Sequence, residues 1–136
     1  MAERKLPVSI VLLTRNEESN IRACLESCTF AQEVILVDDG SMDRTVEIAG
    51  ELGARIFHRS MNGDWGAQQT YGIEQAAQPW IFLLDADERV TPQLKASIEK
   101  VLNGDDRHVS YEVQRENHFI SGRASHGVVR PDWVLR

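Results

Sequence analysis

Acidic and polar side chains directly follow three apolar segments of this sequence, at positions where buried strands would end. In an open α/β sheet, ligands bind in the crevice beyond the carboxyl ends of the strands. Carboxylates that converge there repel one another, and a shared cation is the usual way to relieve that repulsion. The pattern therefore predicts a divalent cation and a ligand at this edge. The candidate residues are Thr14, Asn16 and Glu17, then Asp38 and Asp39, and then Asp85, Asp87 and Glu88.

Asp85 and Asp87 form the sharpest of these patterns, because residues two apart on an extended segment face the same side. A small set of hard oxygen ligands suits Mg²⁺ or Mn²⁺, which keep open positions for phosphate oxygens and can neutralise a departing diphosphate. Two carboxylates alone would hold such an ion weakly, so we expect the metal and a nucleotide to bind together. The alternative is that both acids only shape the turn and cap the helix after the strand.

Asp38 and Asp39, followed by Gly40 and Ser41, predict a sharp turn whose carboxylates could accept from a ribose hydroxyl or a base N–H. The glycine permits close approach of the backbone to a ligand. A phospho-accepting receiver domain would also place carboxylates around Mg²⁺ at strand ends. That class requires an aspartate at the end of the third strand, and residues 57–59 are Phe-His-Arg here, which argues against it.

Four strand-then-helix units are expected to position these residues within the first hundred or so positions. The predicted strands are 8–13, 34–37, 54–58 and 80–84. Their apolar, partly β-branched runs suit strands that are buried on both faces of a parallel sheet. The alternation predicts an α/β fold with a mostly parallel sheet and helices on both faces. Beyond residue 104 we expect strands at 109–115 and 128–135, and no helical period at 117–129.

Capping residues and apolar spacing predict where the helices begin and which faces they bury. Cys24 and Cys28 lie four apart beside Ile21 and Leu25, so we expect buried thiols, with neither a zinc site nor a disulfide. We expect Thr14 and Glu17 to form a capping box at the start of the first helix, and Ser41 or Asp43 to cap the second. A third helix is expected at 67–77 after a loop at 60–66, and Thr91 with Pro92 should begin the fourth. The expected core face of the second helix is Val46, Ala49 and Leu52, with Gly53 as its stop.

Length and charge restrict the class of protein. A chain of 136 residues fits one compact domain. Its net charge of -6 argues against nucleic acid as a partner, because phosphate binding requires clustered Lys and Arg. No apolar run approaches the roughly 18 residues needed to cross a bilayer, and the first residues lack the pattern of a signal peptide. We therefore expect a cytoplasmic protein.

Three ordered motifs resemble the family 2 glycosyltransferases of the GT-A fold: Leu-Thr-Arg-Asn-Glu at 13–17, Val-Asp-Asp-Gly-Ser-Met-Asp at 37–43 and Leu-Asp-Ala-Asp-Glu-Arg at 84–89. Their order and spacing both match. The segments 63–69 and 115–132 more narrowly resemble the lipopolysaccharide core β-glucosyltransferase branch. The resemblance implies a single GT-A, Rossmann-like domain, with a nucleotide-binding part at 1–104. It also implies the start of an acceptor part at 105–136 that is C-terminally short.

The resemblance also implies a role for each motif residue. Thr14, Asn16 and Glu17 would line the nucleotide pocket, and Asp39 or Asp38 would hold the base. Asp87 would bind the metal, Asp85 the ribose or the metal, and Glu88 would face the sugar or acceptor. Gln68 is a weaker candidate for a contact with the donor sugar. Trp65 could stack on a sugar, although a core position is the alternative.

The implied activity is inverting transfer of a hexose, glucose from a UDP-sugar, to a bacterial glycan or lipid-linked acceptor. The general base of such enzymes lies downstream, and Asp132 is our candidate, with His126 as a second. The alternative is a truncated, non-catalytic nucleotide-sugar-binding remnant. A nucleotidyltransferase is disfavoured, because residues 14–20 contain no glycine for a triphosphate loop. Peripheral contact with the inner face of the plasma membrane is compatible with such an acceptor.

Overall fold

A computed structural model describes residues 5–103 and the backbone of four further strands at 110–112, 116–119, 122–125 and 131–135. Strands and helices alternate through the first 103 residues, as predicted. In chain order the elements are β1 (Leu6–Thr14), α1 (Glu18–Glu26), β2 (Ala31–Asp38), α2 (Thr45–Glu51), β3 (Arg55–His58), α3 (Trp65–Glu74), β4 (Trp80–Asp85), α4 (Pro92–Asn103), β5 (Ser110–Glu112), β6 (Glu116–Phe119), β7 (Gly122–Ser125) and β8 (Pro131–Leu135).

Six strands form one sheet in the order β3-β2-β1-β4-β8-β5. β1 pairs in parallel with β2 and β4, and β2 pairs in parallel with β3. β8 runs antiparallel to both β4 and β5, while β6 and β7 form a separate antiparallel pair. The prediction of a mostly parallel sheet is confirmed. Because β1 to β4 are parallel, their carboxyl ends meet at one edge of the sheet.

The helices cover both faces of the sheet, so most side chains on both faces of its central strands are buried and apolar. One face packs against α1, α2 and α4, and includes the predicted buried residues Ile21, Cys24, Leu25 and Cys28. The other face packs against α3 and centres on Val11, Ile35, Val37 and Ile81. Cys24 and Cys28 are both buried free thiols. None of the helices in the described residues combines the length and apolar composition needed to cross a bilayer.

Several helix ends differ from the sequence prediction. The expected capping box is wrong, because Thr14 Oγ1 donates to Asp38 instead and α1 has no side-chain cap. α2 begins at Thr45 and buries Thr45, Ile48 and Ala49, whereas Leu52 is 38% exposed. The predicted stop of this helix at Gly53 is confirmed by its φ of 90°.

The third helix also starts earlier than predicted, and the fourth starts as predicted. α3 runs from Trp65 to Glu74, not over 67–77, because Asp64 caps it by accepting from the Ala67 amide. α4 begins at Pro92, and the Thr91 hydroxyl caps it by accepting from the Leu94 amide at 3.1 Å. Parts of the predicted strands at 109–115 and 128–135 lie outside the described residues.

Gly72 lets α3 lie close to the sheet. A Cβ at this position would be 2.6 Å from Val11 Cγ1 and 3.3 Å from Val37 Cγ2. We expect Gly72→Ala to lower the free energy of unfolding by about 1 kcal/mol, since overpacking costs about 1 to 3 kcal/mol and outweighs the gain in helix propensity. Gly50→Ala on α2 meets no atom within 4 Å, so it should stabilise the chain by about 0.5 to 1 kcal/mol. Urea denaturation would show these opposite signs, and a stabilising Gly72→Ala would contradict the close packing.

The Glu33 carboxylate ties several segments together near the amino ends of β1 and β2. Its Oε1 accepts from Ser9 Oγ and from the Ala77 amide, both at 2.7 Å, and its Oε2 accepts from Arg55 Nη1 at 2.8 Å. Burial alone raises the pKa of Glu33. The three hydrogen bonds and the charge of Arg55 outweigh burial, so the pKa lies below its ordinary value.

We therefore expect stability to depend on the ionisation of Glu33. Because its pKa is lowered in the folded state, its contribution is fully present above the ordinary value of 4.5 and is lost as the pH falls through the folded-state pKa. The difference in melting temperature between the unchanged chain and Glu33→Gln should be constant above about pH 5.5 and shrink below about pH 4. Glu99→Gln, at an exposed position on α4, is the matched control. A difference that grew on acidification would contradict the assignment.

Candidate functional site

A cleft with a volume of about 300 Å³ opens at the carboxyl edge of β1, β2 and β4. Its walls come from the loops after these strands and from the start of α3. The acidic residues that line it are Glu17, Asp39, Asp85 and Asp87, and the other lining residues are Leu13, Thr14, Arg15, Met61, Trp65, Gln68 and Ala86. Carboxylates from the ends of separate strands therefore share one cleft. What they bind stays a prediction.

Asp39 lines the cleft, and its two carboxylate oxygens have different partners. The Met61 amide donates to Asp39 Oδ1 at 2.9 Å. Arg15 Nη1 lies 3.7 Å from Asp39 Oδ2, and the Arg15 side chain is 68% exposed. An exposed ion pair at this distance is weak and easily exchanged. Asp39 Oδ2 can therefore accept a hydrogen bond from a ligand N–H.

Asp38 points into the protein, although it is the neighbour of Asp39. Its Oδ1 accepts from Thr14 Oγ1 at 2.8 Å and from Ser41 Oγ at 2.6 Å, and its Oδ2 accepts from the Ser41 amide at 2.8 Å. The residue is 1% exposed. Asp39 lines the cleft, whereas Asp38 is occupied in joining β1 to the loop after β2. Which of them holds the base stays a prediction.

Reciprocal hydrogen bonds join the loop after β1 to the loop after β2. Asn16 has a φ of 53°. Its backbone N–H donates to Ser41 Oγ, and its side-chain Oδ1 accepts from the Met42 backbone N–H, both at 2.8 Å. The Glu17 amide donates to Thr45 Oγ1 at 2.8 Å. The expectation that Asn16 lines the pocket differs from the structure, where its side chain holds the two loops in register. Glu17 and Thr14 do line the cleft.

Glu88 closes the turn that presents Asp85 and Asp87. Glu88 Oε1 accepts from the Asp85 amide at 2.9 Å, and the Glu88 amide donates to the Asp85 carbonyl at 2.9 Å. At the far end of this turn the hydroxyl of Ser27, the residue after α1, accepts from the Val90 amide at 3.0 Å. Glu88 does not line the cleft, so these contacts differ from the expectation that it faces the sugar or acceptor.

The donor set of the cleft fits a hard divalent cation. Asp85 and Asp87 supply carboxylate oxygens, which Mg²⁺ and Mn²⁺ prefer. Burial, and next the charge of Asp87, raise the pKa of Glu17 above its ordinary value, so negative charge is concentrated here. Within the described residues, no group of three or more His, Cys, Asp or Glu side chains could hold a metal ion. A cation would therefore need oxygens from a nucleotide and from water to complete its coordination.

Gln68 lines the cleft, but Arg59 engages both ends of its amide. Arg59 Nη1 donates to Gln68 Oε1 at 2.8 Å, and Gln68 Nε2 donates to the Arg59 carbonyl at 2.6 Å. The guanidinium also lies over the Tyr71 ring, 5.4 Å from its centre. The expected contact between Gln68 and a donor sugar would have to compete with these bonds. Sequence reasoning missed Arg59, because no local pattern connects residues 59 and 68.

Trp65 stands on the wall of the cleft at the first position of α3. It is 50% exposed, so the alternative of a core position is excluded. An exposed indole at the mouth of a cleft can stack on the face of a sugar or a base.

Asp132, the candidate base, lies near one end of β8. In the antiparallel pairing of β8 with β4, Phe82 is opposite Trp133. The amino end of β8 therefore lies toward the carboxyl end of β4, which is the edge that carries the cleft. The side chain of Asp132 and the whole of His126 lie outside the described part of the structure, so a catalytic role for either stays a prediction.

Solved structures share the fold of this chain. S. aureus TarS superposes with a TM-score of 0.60 at 19% identity, covering 85% of this chain and 42% of that chain. Glucosyl-3-phosphoglycerate synthase from Mycobacterium tuberculosis was crystallised with Mn²⁺, UDP and glucosyl-3-phosphoglycerate. It superposes with a TM-score of 0.58 at 21% identity, covering 75% and 41% of the two chains. The fold is therefore that of the GT-A glycosyltransferases.

Sequence comparisons extend over most of the chain. The lipopolysaccharide core biosynthesis glycosyltransferase LpsC of Rhizobium meliloti is 33% identical over 120 residues, which cover 85% of this chain and 44% of LpsC. An uncharacterized glycosyltransferase of Rickettsia typhi is 32% identical over 110 residues, which cover 79% of this chain and 37% of that protein. This chain thus spans less than half the length of either relative. The model of glycosyl transferase family 2 matches residues 9–128, and a match of this extent shows that the chain belongs to that family.

Proposed function

We propose that this chain binds a nucleotide sugar together with Mg²⁺ or Mn²⁺. We further propose that it transfers the hexose, glucose from a UDP-sugar, with inversion to a bacterial glycan or lipopolysaccharide core acceptor. The observation that carries the proposal is the single cleft shared by Asp39 at the end of β2 and by Asp85 and Asp87 at the end of β4. The name of LpsC supports the acceptor class. The Mn²⁺ and UDP bound to the mycobacterial synthase support the donor and the cation.

The geometry suggests how a nucleoside diphosphate would lie in the cleft. Asp39 Oδ2 would accept the N–H of the base, because Oδ1 is already held by the Met61 amide. Thr14 and Glu17 would lie beside the ribose. The diphosphate would then extend toward Asp85 and Asp87, which would hold the cation. Trp65 would form the wall on the α3 side.

Transfer requires stabilisation of the diphosphate leaving group and removal of a proton from the acceptor hydroxyl. A bound cation would supply the positive charge that the leaving group needs. Arg15 is the lining residue with a positive charge among those described, and it could turn from Asp39 toward a phosphate. Asp132 is our candidate for the base that removes the acceptor proton.

Calorimetric titration with UDP, with and without Mn²⁺, tests the donor site. We expect UDP to bind in the presence of Mn²⁺ and to bind much more weakly in EDTA. Equal affinity in both conditions would contradict the metal assignment, and no binding in either would contradict the nucleotide site.

A test for release of UDP from UDP-glucose and for glucosylated acceptor, with and without acceptor glycans, separates the enzyme from a binding module. Turnover supports the transferase. Metal-dependent UDP binding without turnover would select the alternative, a nucleotide-sugar-binding domain that lacks the acceptor half of the site.

The proposed location is the cytoplasm, with peripheral contact at the inner face of the plasma membrane. A lipid-linked acceptor would present its sugar at that surface. Fractionation of cells that express the tagged chain would test the proposal, and recovery outside the cytoplasm and its membrane face would contradict it.

A further inference from the structure

The segment between β3 and α3, residues 59–64, contributes one backbone hydrogen bond to the candidate base site. That bond runs from the Met61 amide to Asp39 Oδ1 at 2.9 Å. The segment turns sharply, since Asn62 has a φ of 52° and Gly63 a φ of 76°. Its position therefore decides which way the Asp39 carboxylate is turned. If the segment moved, the Asp39 carboxylate would keep only the weak ion pair between its Oδ2 and the exposed Arg15.

Two contacts hold the beginning of this segment: the Arg59 amide donates to the Asp38 carbonyl at 3.0 Å, and one side chain of α3 bonds to Arg59. Gln68 bridges to Arg59 through two hydrogen bonds of opposite direction. Arg59 Nη1 donates to Gln68 Oε1, and Gln68 Nε2 donates to the Arg59 carbonyl. The residue is 1% exposed, so water cannot easily replace either partner. Breaking the bridge would leave buried polar groups without hydrogen-bond partners, which is unfavourable.

We propose that Gln68 is a positioning residue for nucleobase recognition. Through Arg59 it holds segment 59–64 in place, and through the Met61 amide it keeps Asp39 Oδ2 turned toward the base. The inference rests on the proposed function, because Asp39 is assigned there as the acceptor of the base N–H. Gln68 lines the cleft without serving as a direct ligand of the donor sugar.

Gln68→Met tests this role, because methionine has a similar length and cannot form the bridge. In the ligand-free chain, we expect hydrogen exchange of the Met61 amide, followed by NMR, to accelerate at least about tenfold in the variant. Gln75→Met, the same change at the other end of α3, should leave that rate unchanged. An unchanged rate for Met61 in Gln68→Met would overturn the inference, whatever the chain binds.

Ligand binding supplies the second readout. With Mn²⁺ present, Gln68→Met should weaken UDP binding about tenfold. Affinity for pyrophosphate with Mn²⁺ should stay within about twofold, because pyrophosphate carries no base. In an Asp39→Asn background the effect of Gln68→Met on UDP affinity should vanish, because both changes act at the same point. Equal losses for UDP and pyrophosphate would overturn the positioning role.

The two proposals can fail separately. If the unchanged chain does not bind UDP, the proposed function fails. The hydrogen-exchange rate of the Met61 amide would still test whether Gln68 helps to hold Asp39. Should Gln68→Met be too unstable to purify, Gln68→Glu keeps an acceptor for the Arg59 guanidinium and removes the donor to the Arg59 carbonyl. The same acceleration at Met61 is then expected, and its absence would overturn the inference.

Discussion

Asp87→Asn is expected to abolish metal-dependent UDP binding, lowering the affinity measured in Mn²⁺ by about 100-fold or more. Loss of groups that only orient a metal ligand already costs about 10- to 100-fold in metal affinity. The neutral amide removes a negative charge from a cleft where Asp87 contributes to raising the pKa of Glu17. Calorimetric titration in Mn²⁺ would measure the loss. The melting temperature without metal should change little, because Asp87 is exposed.

Two comparisons make this prediction specific. In EDTA, the unchanged chain and Asp87→Asn should bind UDP with the same low affinity, since the difference depends on the cation. Asp64→Asn is the matched control, because Asp and Asn are equally good helix N-caps and Asp64 caps α3 outside the cleft. An Asp87→Asn variant that keeps its affinity in Mn²⁺ would remove the basis for the metal site.

Asp38 and Asp39 are adjacent, but the same substitution should have opposite consequences at the two positions. Asp38→Asn should lower the free energy of unfolding by about 2 to 3 kcal/mol, because an amide NH₂ would replace one of two buried oxygens that accept hydrogen bonds. For a chain of this size, the melting temperature should fall by about 6 to 12 °C. Asp39→Asn should change the melting temperature little, because its remaining oxygen can still accept from the Met61 amide.

Nucleotide binding should show the reverse order. Asp39→Asn would present an NH₂ group in place of Oδ2, so UDP affinity should fall about 10- to 100-fold. The N3 atom of cytosine is an acceptor where uracil has an N–H donor, so CDP should be affected less than UDP. Folded Asp38→Asn at low temperature should keep most of its UDP affinity. If Asp38→Asn lost more UDP affinity than Asp39→Asn, the assignment of the base to Asp39 would be wrong.

Local patterns predicted the strands and most of the fold. The apolar runs at 8–13, 34–37 and 80–84 match the buried centres of β1, β2 and β4, since hydrophobic burial depends on side-chain type along a short stretch. The alternation of strand and helix was enough to predict the parallel sheet and the common edge of the acids. Helix ends were predicted less well, because capping depends on which partner a side chain reaches. Thr14 is the example: its hydroxyl binds Asp38 on the neighbouring strand β2, and the Glu18 amide at the start of α1 donates to Asp43 instead.

For the motif residues, too, the sequence predicted some properties and only the folded structure showed others. The sequence indicated that acids follow β1, β2 and β4, and their type indicated an affinity for cations and hydrogen-bond donors. Only the tertiary structure distinguished Asp38 from Asp39, because alternate side chains at a strand end turn to opposite sides. It also showed that the Asn16 side chain joins two loops and that Gln68 is hydrogen-bonded to Arg59 across a turn.

The sequence by itself determined the elements, their order and the chemical character of the edge where parallel strands end, because these depend on composition and periodicity within short windows. The tertiary structure decided which carboxylates line the cleft and which accept hydrogen bonds inside the protein. That choice depends on hydrogen bonds between residues 24 to 28 positions apart, such as those from Thr14 to Asp38 and from Glu17 to Thr45. Such partners meet only when β1 and β2 lie side by side in the folded sheet.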